Sequence, residues 1–182
     1  MNLRNLAAAG AAFALFATTP ALAELKSGAT APDFTANGAL AGKPFAFSLK
    51  QALQKGPVVL YFYPKAFTKG CTLEAHAFAE ASDDFKAAGA TVIGMSNDDI
   101  ATLQKFSTEA CRDKFAVAAA SPAVIKAYDV ALKLPAGIST GLTKRTSYVI
   151  ARNGKVTMVH SDMDYRDHVK LTLEAVRKLK GA

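Results

Sequence analysis

Gly56-Pro57-Val58-Val59-Leu60-Tyr61-Phe62-Tyr63-Pro64-Lys65-Ala66-Phe67-Thr68-Lys69-Gly70-Cys71 is the stretch around which the chain is organised. Its first half is an unbroken apolar, β-prone run bounded by Gly56 and Pro64. No polar residue alternates within it, so it predicts a strand buried on both faces, as in the middle of an α/β sheet. From Cys71 to Ala88 an alanine-rich segment follows, with Leu73, Ala77, Phe78, Ala81 and Phe85 at helical spacing and Gly89 as a stop. Strand, short loop and helix therefore succeed one another, with Cys71 in the helix's first turn at the strand's carboxyl end.

The same alternation continues downstream. Thr91–Met95 predicts a second buried strand, and Asp98 or Asp99 can cap a helix running to about Ala110, with Leu103 and Phe106 inward. Phe115–Val117 predicts a short strand, and Ser121-Pro122 starts a helix through Tyr128. Ser147–Ile150 and Val156–His160 flank Asn153-Gly154, a type I′ hairpin signal, and a final amphipathic helix is expected from about Asp164 to Leu179. Upstream, residues 24 to about 43 carry Gly28, Pro32, Gly38 and Gly42, the composition of an extended lead-in with turns. Parallel strands, then an antiparallel hairpin, then a closing helix predict a thioredoxin-like α/β sandwich with a mixed central sheet. A doubly wound nucleotide-binding fold begins similarly but needs a glycine-rich phosphate loop after the first buried strand. Pro64 to Gly70 holds a single glycine.

The chain has 182 residues, enough for one domain with a sizeable core, and a formal charge of +7. Its basic residues are scattered, with a light cluster at Arg177, Lys178 and Lys180. No aromatic-interleaved basic patch of the kind that single-stranded nucleic acid needs is present. At the start, Asn2 and Arg4 precede an apolar run from Leu6 to Phe16, and Ala21-Leu22-Ala23 puts small residues where a signal peptidase reads. This predicts a signal peptide over residues 1–23, a mature domain over 24–182, and export to the periplasm. The apolar run is about half the roughly twenty residues a membrane span requires, so stable membrane insertion is not expected.

Only two cysteines, Cys71 and Cys111, are present. An exported protein stapled by disulfides usually carries more, so the pair is either one structural bridge or a redox couple. Cys71 has the stronger chemical claim. Unpaired backbone N–H groups and the positive end of the helix dipole converge on a helix's first turn and favour a thiolate there. Lys65 and Lys69 add positive potential.

The pattern Pro64-x-x-x-Thr68-x-x-Cys71 resembles the active-site motif of the peroxiredoxins. The wider string Phe62 to Ala75 is similar to that of the bacterioferritin comigratory protein, or PrxQ, branch. Arg145-x-Ser147-Tyr148 resembles the strand that carries the family's arginine, and the similarity runs from about Leu25 to the last helix. The resemblance implies a thiol-dependent peroxidase needing no cofactor. Cys71 would attack the peroxide as a thiolate and become a sulfenic acid. Arg145 would hold the thiolate charge and the peroxide oxygens, and Thr68 would accept from the peroxide. Pro64 would shield the pocket from water. Glu74 is either the acid that orients Arg145 or a surface carboxylate. The implied partners are a peroxide substrate and a thioredoxin-like or other thiol reductant; relatives of this branch are often monomers.

The match departs in informative places. Many PrxQ proteins carry a resolving cysteine five positions after the first, where this chain has His76. Cys111 is then the remaining candidate, through a Cys71–Cys111 disulfide that requires local unwinding; the other reading is an inert core thiol, with resolution from outside. Ala66 and Lys69 replace a frequent acid and proline, and Ala119-Ala120-Ser121-Pro122 stands where relatives have a Ser-Asp-Pro turn. His76 with Cys71 makes only two ligands of a metal site, and His160 and His168 read as structural. Two other functions compete. A disulfide oxidoreductase wants Cys-x-x-Cys, and a copper or haem chaperone wants paired cysteines with a distant histidine. Thr72-Leu73-Glu74 after Cys71 supplies neither.

Overall fold

A computed structural model describes residues 25–180, so the predicted signal peptide lies outside the described residues. The buried run forms β3 (Val58–Phe62), all five residues of which are sequestered. It lies inside a seven-stranded sheet of order β2-β1-β5-β4-β3-β8-β9, with β1 Thr35–Leu40, β2 Lys43–Ser48, β4 Thr91–Ser96, β5 Ala116–Ala119, β8 Thr146–Ile150 and β9 Val156–Ser161. Strand β3 runs parallel to β4, and β4 to β5, while β8 pairs antiparallel with β3 from Val58↔Ile150 to Phe62↔Thr146. The mixed sheet expected from the order of elements is therefore present, flanked by helices on both faces.

Alternation along β3 sends its side chains into two cores. Val59, Tyr61 and Tyr63 pack with Phe78, Phe85, Phe106, Phe115 and Val176, under α2 (Lys69–Glu80), α3 (Ser82–Ala87), α4 (Ile100–Glu109) and α6 (His168–Lys180). Val58, Leu60 and Phe62 pack on the other face with Tyr128 and Tyr148, beneath α1 (Leu49–Lys55) and α5 (Pro122–Ala127). Burial of each such large apolar side chain contributes about 1.5–3 kcal/mol. Tyr61 stacks on Phe78 at 4.3 Å between centroids, and its ring fits because residue 94 of β4 is glycine. A Cβ there would lie 2.8 Å from the Tyr61 ring. Both cysteines belong to this first core.

Several local expectations are corrected. The expected lead-in contains β1, which joins β2 in an antiparallel hairpin, and Gly38 lets β1 approach β5 on its other side; a Cβ there would meet the Val117 carbonyl at 2.9 Å. The long helix over Cys71–Ala88 starts at Lys69 and breaks at Ala81, where Ser82-Asp83-Asp84 begins α3 with acidic residues at its positive end. Its inward face is Cys71, Glu74, Ala75, Phe78 and Ala79, leaving Leu73 exposed. The expected caps are present: Asp99, one of the two candidates, caps α4, and Ser121 caps α5 with Pro122 in the first turn. A further hairpin, β6 (Ala131–Lys133) and β7 (Ser139–Thr143), precedes β8. Between β8 and β9 only Gly154 has positive φ, so the turn is not type I′. Gly154 N–H instead closes on Ala151 O as a wider turn with a bulge, shifting register at Val149/Ile150. The last helix starts at His168. Asp162 and Asp164 before it turn their carboxylates onto backbone N–H groups two residues on, which competes with helix.

Candidate active site

Pro64 ends β3 and the loop behind it delivers Cys71 to the first turn of α2, whose N-cap is Thr68. The first helical backbone bond runs from Thr72 N–H to Thr68 O, so the N–H groups of Gly70 and Cys71 precede it and point out of the helix start. The Thr68 hydroxyl donates to Lys65 O at 3.0 Å, which leaves its oxygen lone pairs able to accept. Phe67 adopts φ of 63°, a left-handed conformation that is strained for a side chain of its size. Two contacts hold it there: the Phe67 ring stands edge-on to Phe106 at 5.2 Å, and the neighbouring Ala66 N–H donates to Asp98 Oδ2 at 2.7 Å. A groove lined by Pro64, Phe67, Asn97, Asp98 and Leu142 runs beside the loop.

Arg145 comes from the segment between β7 and β8 and is 4 % exposed. The antiparallel pairing of β8 with β3 sets Thr146 opposite Phe62 and so brings Arg145 to the same end of the sheet as Pro64. One arm of the guanidinium, Nη2, donates to Cys71 Sγ at 3.5 Å; the other, Nη1, pairs with Glu74 Oε2, and Nε donates to Met163 O at 3.0 Å. Gly70 makes room for that fork, since a Cβ at 70 would lie 3.2 Å from Nη2. Burial by itself works against the guanidinium, but the Glu74 and Cys71 charges offset it and hold the group charged. Glu74 is thus a buried partner of Arg145 rather than a surface carboxylate, and burial pushes its carboxyl up to about 8 in spite of the arginine.

Four of the five predicted site residues, Pro64, Thr68, Cys71 and Arg145, stand at this end of the sheet, and the fifth, Cys111, lies in the same apolar core as Cys71 without a disulfide between them. Cys111 follows the C-cap of α4, is fully buried, and is a free thiol like Cys71. Burial, with Asp113 nearby, pushes its thiol far above the ordinary range. The next two residues, Arg112 and Asp113, both have positive φ, 50° and 58°.

Behind Arg145, the sequence points to Glu74 as one candidate but gives no hint of His168. His168, fully buried at the start of α6, sits 2.8 Å from Ser147 Oγ through Nδ1, 3.0 Å from Asp162 O through Nε2, and 3.8 Å from Glu74 Oε1. His160 packs edge-on against its ring at 4.5 Å. Helical spacing flags Glu74, which falls three residues after Cys71, but nothing local links position 168 to position 74. His76 is half-buried, and among the described residues no three His, Cys, Asp or Glu side chains converge as a metal site would require.

A buried cysteine at a helix start, clasped by an arginine just ahead of an antiparallel strand of a thioredoxin-like sheet, defines a class. The chain belongs to the AhpC/TSA family, whose model matches residues 27–159; it is a peroxiredoxin, a thiol-dependent peroxidase. Within that family it falls in the PrxQ, or bacterioferritin comigratory protein, branch. Chloroplastic peroxiredoxin Q of Sedum lineare is 31% identical over 159 residues, which are 87% of this chain and 81% of the relative. The structure of peroxidoxin BcpB from Mycobacterium tuberculosis superposes with a TM-score of 0.73 at 32% identity, covering 86% of this chain and 99% of that one. Bacterioferritin comigratory protein of Xanthomonas campestris, described for its alkyl peroxide reduction activity, gives a TM-score of 0.69 at 25% identity over 79% and 91% of the two chains.

Proposed function

We propose that Cys71 is the peroxidatic nucleophile and that Arg145, Thr68 and the helix-start N–H groups carry the charge that moves during reaction. The observation that supports this most directly is the 3.5 Å contact of Arg145 Nη2 with Cys71 Sγ in a buried site at a helix start. The thiolate attacks the terminal oxygen of a hydroperoxide. A sulfur–oxygen bond forms, the O–O bond breaks, and the electron pair leaves on the alkoxide, which takes the hydroperoxide proton to become alcohol or water. Donors aimed at the oxygen where charge develops lower the barrier. Pro64 closes one side of the loop against water. Hydrogen peroxide and alkyl hydroperoxides are the substrates, the latter in keeping with the Xanthomonas relative.

In the second half of the cycle, Cys111 attacks the Cys71 sulfenic acid, releasing water and forming a disulfide that a thioredoxin-like dithiol reduces. The strained Arg112-Asp113 pair supports this reading. Left-handed backbone costs about 1–2 kcal/mol per residue, so unwinding the end of α4 recovers energy as Cys111 leaves the core. Residues 1–23 act as a cleaved export signal, and the mature domain of residues 24–182 works in the periplasm; a mature N-terminus other than Glu24 would count against this. The test of the chemistry is rapid mixing of reduced protein with hydrogen peroxide, followed by mass spectrometry of Cys71. Oxidation no faster than that of free cysteine refutes the nucleophile assignment. In Cys111→Ser the Cys71 sulfenate should persist; an unchanged product would assign resolution to an external thiol instead.

A further inference from the structure

The two arms of the Arg145 guanidinium face different chemistry, and the arm away from sulfur meets a pair of fully buried ionisable side chains. Glu74 accepts from Arg145 through Oε2, while Oε1 has no hydrogen-bond partner. That oxygen lies 3.8 Å from Nδ1 of His168, and both residues are 0% exposed. The imidazole is fixed in place. Nε2 lies 3.0 Å from the Asp162 carbonyl, which can only accept, so Nε2 carries a proton, and His160 blocks one face of the ring at 4.5 Å. Nδ1 of the neutral ring then presents its lone pair toward Ser147 Oγ and Glu74 Oε1. The Ser147 hydroxyl at 2.8 Å can donate to Nδ1, whereas Oε1 of an ionised Glu74 would stand without a donor where solvent does not reach. A buried acceptor left unpaired costs about 1–3 kcal/mol, and more when it is charged. A single proton held by the pair removes that unpaired charge.

We infer that the Glu74–His168 pair holds one proton, on Oε1 or on Nδ1, so that the pair is electroneutral and the positive charge of Arg145 is committed to Cys71. The net charge is the same whether the proton rests on oxygen beside a neutral imidazole or on nitrogen beside a carboxylate. Without that proton two anions, the Glu74 carboxylate and the Cys71 thiolate, divide one cation in a desolvated site. With it the buried charges are one thiolate and one guanidinium. The other titratable groups facing the pair are Tyr61 from β3, His160 from β9, and Asp162 and Asp164 from the segment before α6. Burial pushes Glu74 up to about 8 and holds His168 down to about 4, with His160 and Arg145 also acting against protonation of the ring and the Asp162 carbonyl favouring it. Both directions favour a protonated acid facing a neutral acceptor.

The consequence for sulfur rests on the reading of Cys71 as the reacting thiol, whereas the held proton is a property of the pair alone. The first measurement is therefore on reduced wild-type protein at pH 7, by infrared and ¹⁵N nuclear magnetic resonance. The expected result is either a protonated-carboxyl stretch that vanishes in Glu74→Gln, or an imidazolium ¹⁵N pattern that vanishes in His168→Phe. An ionised Glu74 together with a neutral His168 would overturn the inference, whether or not any variant folds. The second measurement is the pH midpoint for iodoacetamide trapping of Cys71. It should stay within about half a unit of wild type in Glu74→Gln, whose amide is uncharged as the protonated acid is. A midpoint that falls by about one unit or more in Glu74→Gln would show that Arg145 serves an ionised Glu74 in the wild type, and overturns it as well. Failure of wild-type Cys71 to react with peroxide would sink the proposed function and leave the spectroscopic result standing.

Discussion

Replacing Arg145 with glutamine tests the site most directly, because the side chain serves three partners at once. Its Nη2 donates to Cys71 Sγ at 3.5 Å, Nη1 pairs with Glu74, and Nε holds the Met163 carbonyl at 3.0 Å. Glutamine keeps some polar reach and loses the charge. Deleting one donor aimed at developing negative charge in a preorganised site raises a barrier by about 3–4 kcal/mol, which corresponds to a loss of about 10²–10³ in rate. The same change removes a charge-assisted partner from Glu74, which is fully buried, so the fold should lose about 1.5–3 kcal/mol as well. The substitution is thus not structurally silent. Adding Glu74→Gln separates the effects: the double variant should recover much of the stability and none of the rate. The assay is quenched-flow mixing with hydrogen peroxide at pH 7, counting oxidised Cys71 by mass spectrometry, beside denaturant melts of each variant. A rate within tenfold of wild type in a folded Arg145→Gln would refute the role given to the guanidinium.

Gly70→Ala should separate stability from activity in the opposite way. Alanine is about 1 kcal/mol better than glycine inside a helix, yet its Cβ would lie 3.2 Å from Arg145 Nη2. The expected outcome is a melting temperature equal to or above wild type with a peroxide rate several-fold lower; an unaltered rate would show that Arg145 yields freely. The Glu74 and His168 shifts also predict a pH dependence of stability. Between about 4.5 and 6.5 the folded pair binds one proton, on Glu74, and the unfolded chain also binds one, on His168, so their contribution is flat. From 6.5 to about 8 the folded state holds one proton more than the unfolded state, so stability falls by about 2 kcal/mol as pH rises. Below 4.5 the unfolded chain binds the extra proton, and stability falls as pH drops toward 4. Denaturant midpoints at pH 5.5, 6.5 and 8 should follow this course, and Glu74→Gln should abolish the decline above 6.5; a decline that persists in that variant belongs to other groups.

The arrangement of strand, loop and helix around Cys71 is legible in the chain because it depends on neighbours. An unbroken apolar run can only be a doubly buried strand or a buried helix, and Gly56 and Pro64 limit its length to a strand. The side-chain caps at Asp99 and Ser121 are local hydrogen bonds over three residues, and were readable for the same reason. Weakly patterned segments were not. Strand β1, Thr35–Leu40, has alanine and glycine where a strand signal would be, and it is held by pairing with β2 and β5. The hairpin of β6 and β7 is mostly exposed, so burial leaves no period-two signature in it.

By itself, then, the sequence determined the sheet's centre, the placement of Cys71 at a helix start and, through motif resemblance, Arg145 as its companion. Only the tertiary structure decided what stands behind that companion. Glu74 and His168 lie on different helices, and α6 packs against α2 and β8, bringing position 168 to positions 74 and 147. No residue spacing encodes such a contact. The charge available to Cys71 is set by burial and by the direction in which buried lone pairs point, and both exist only once the layers have closed.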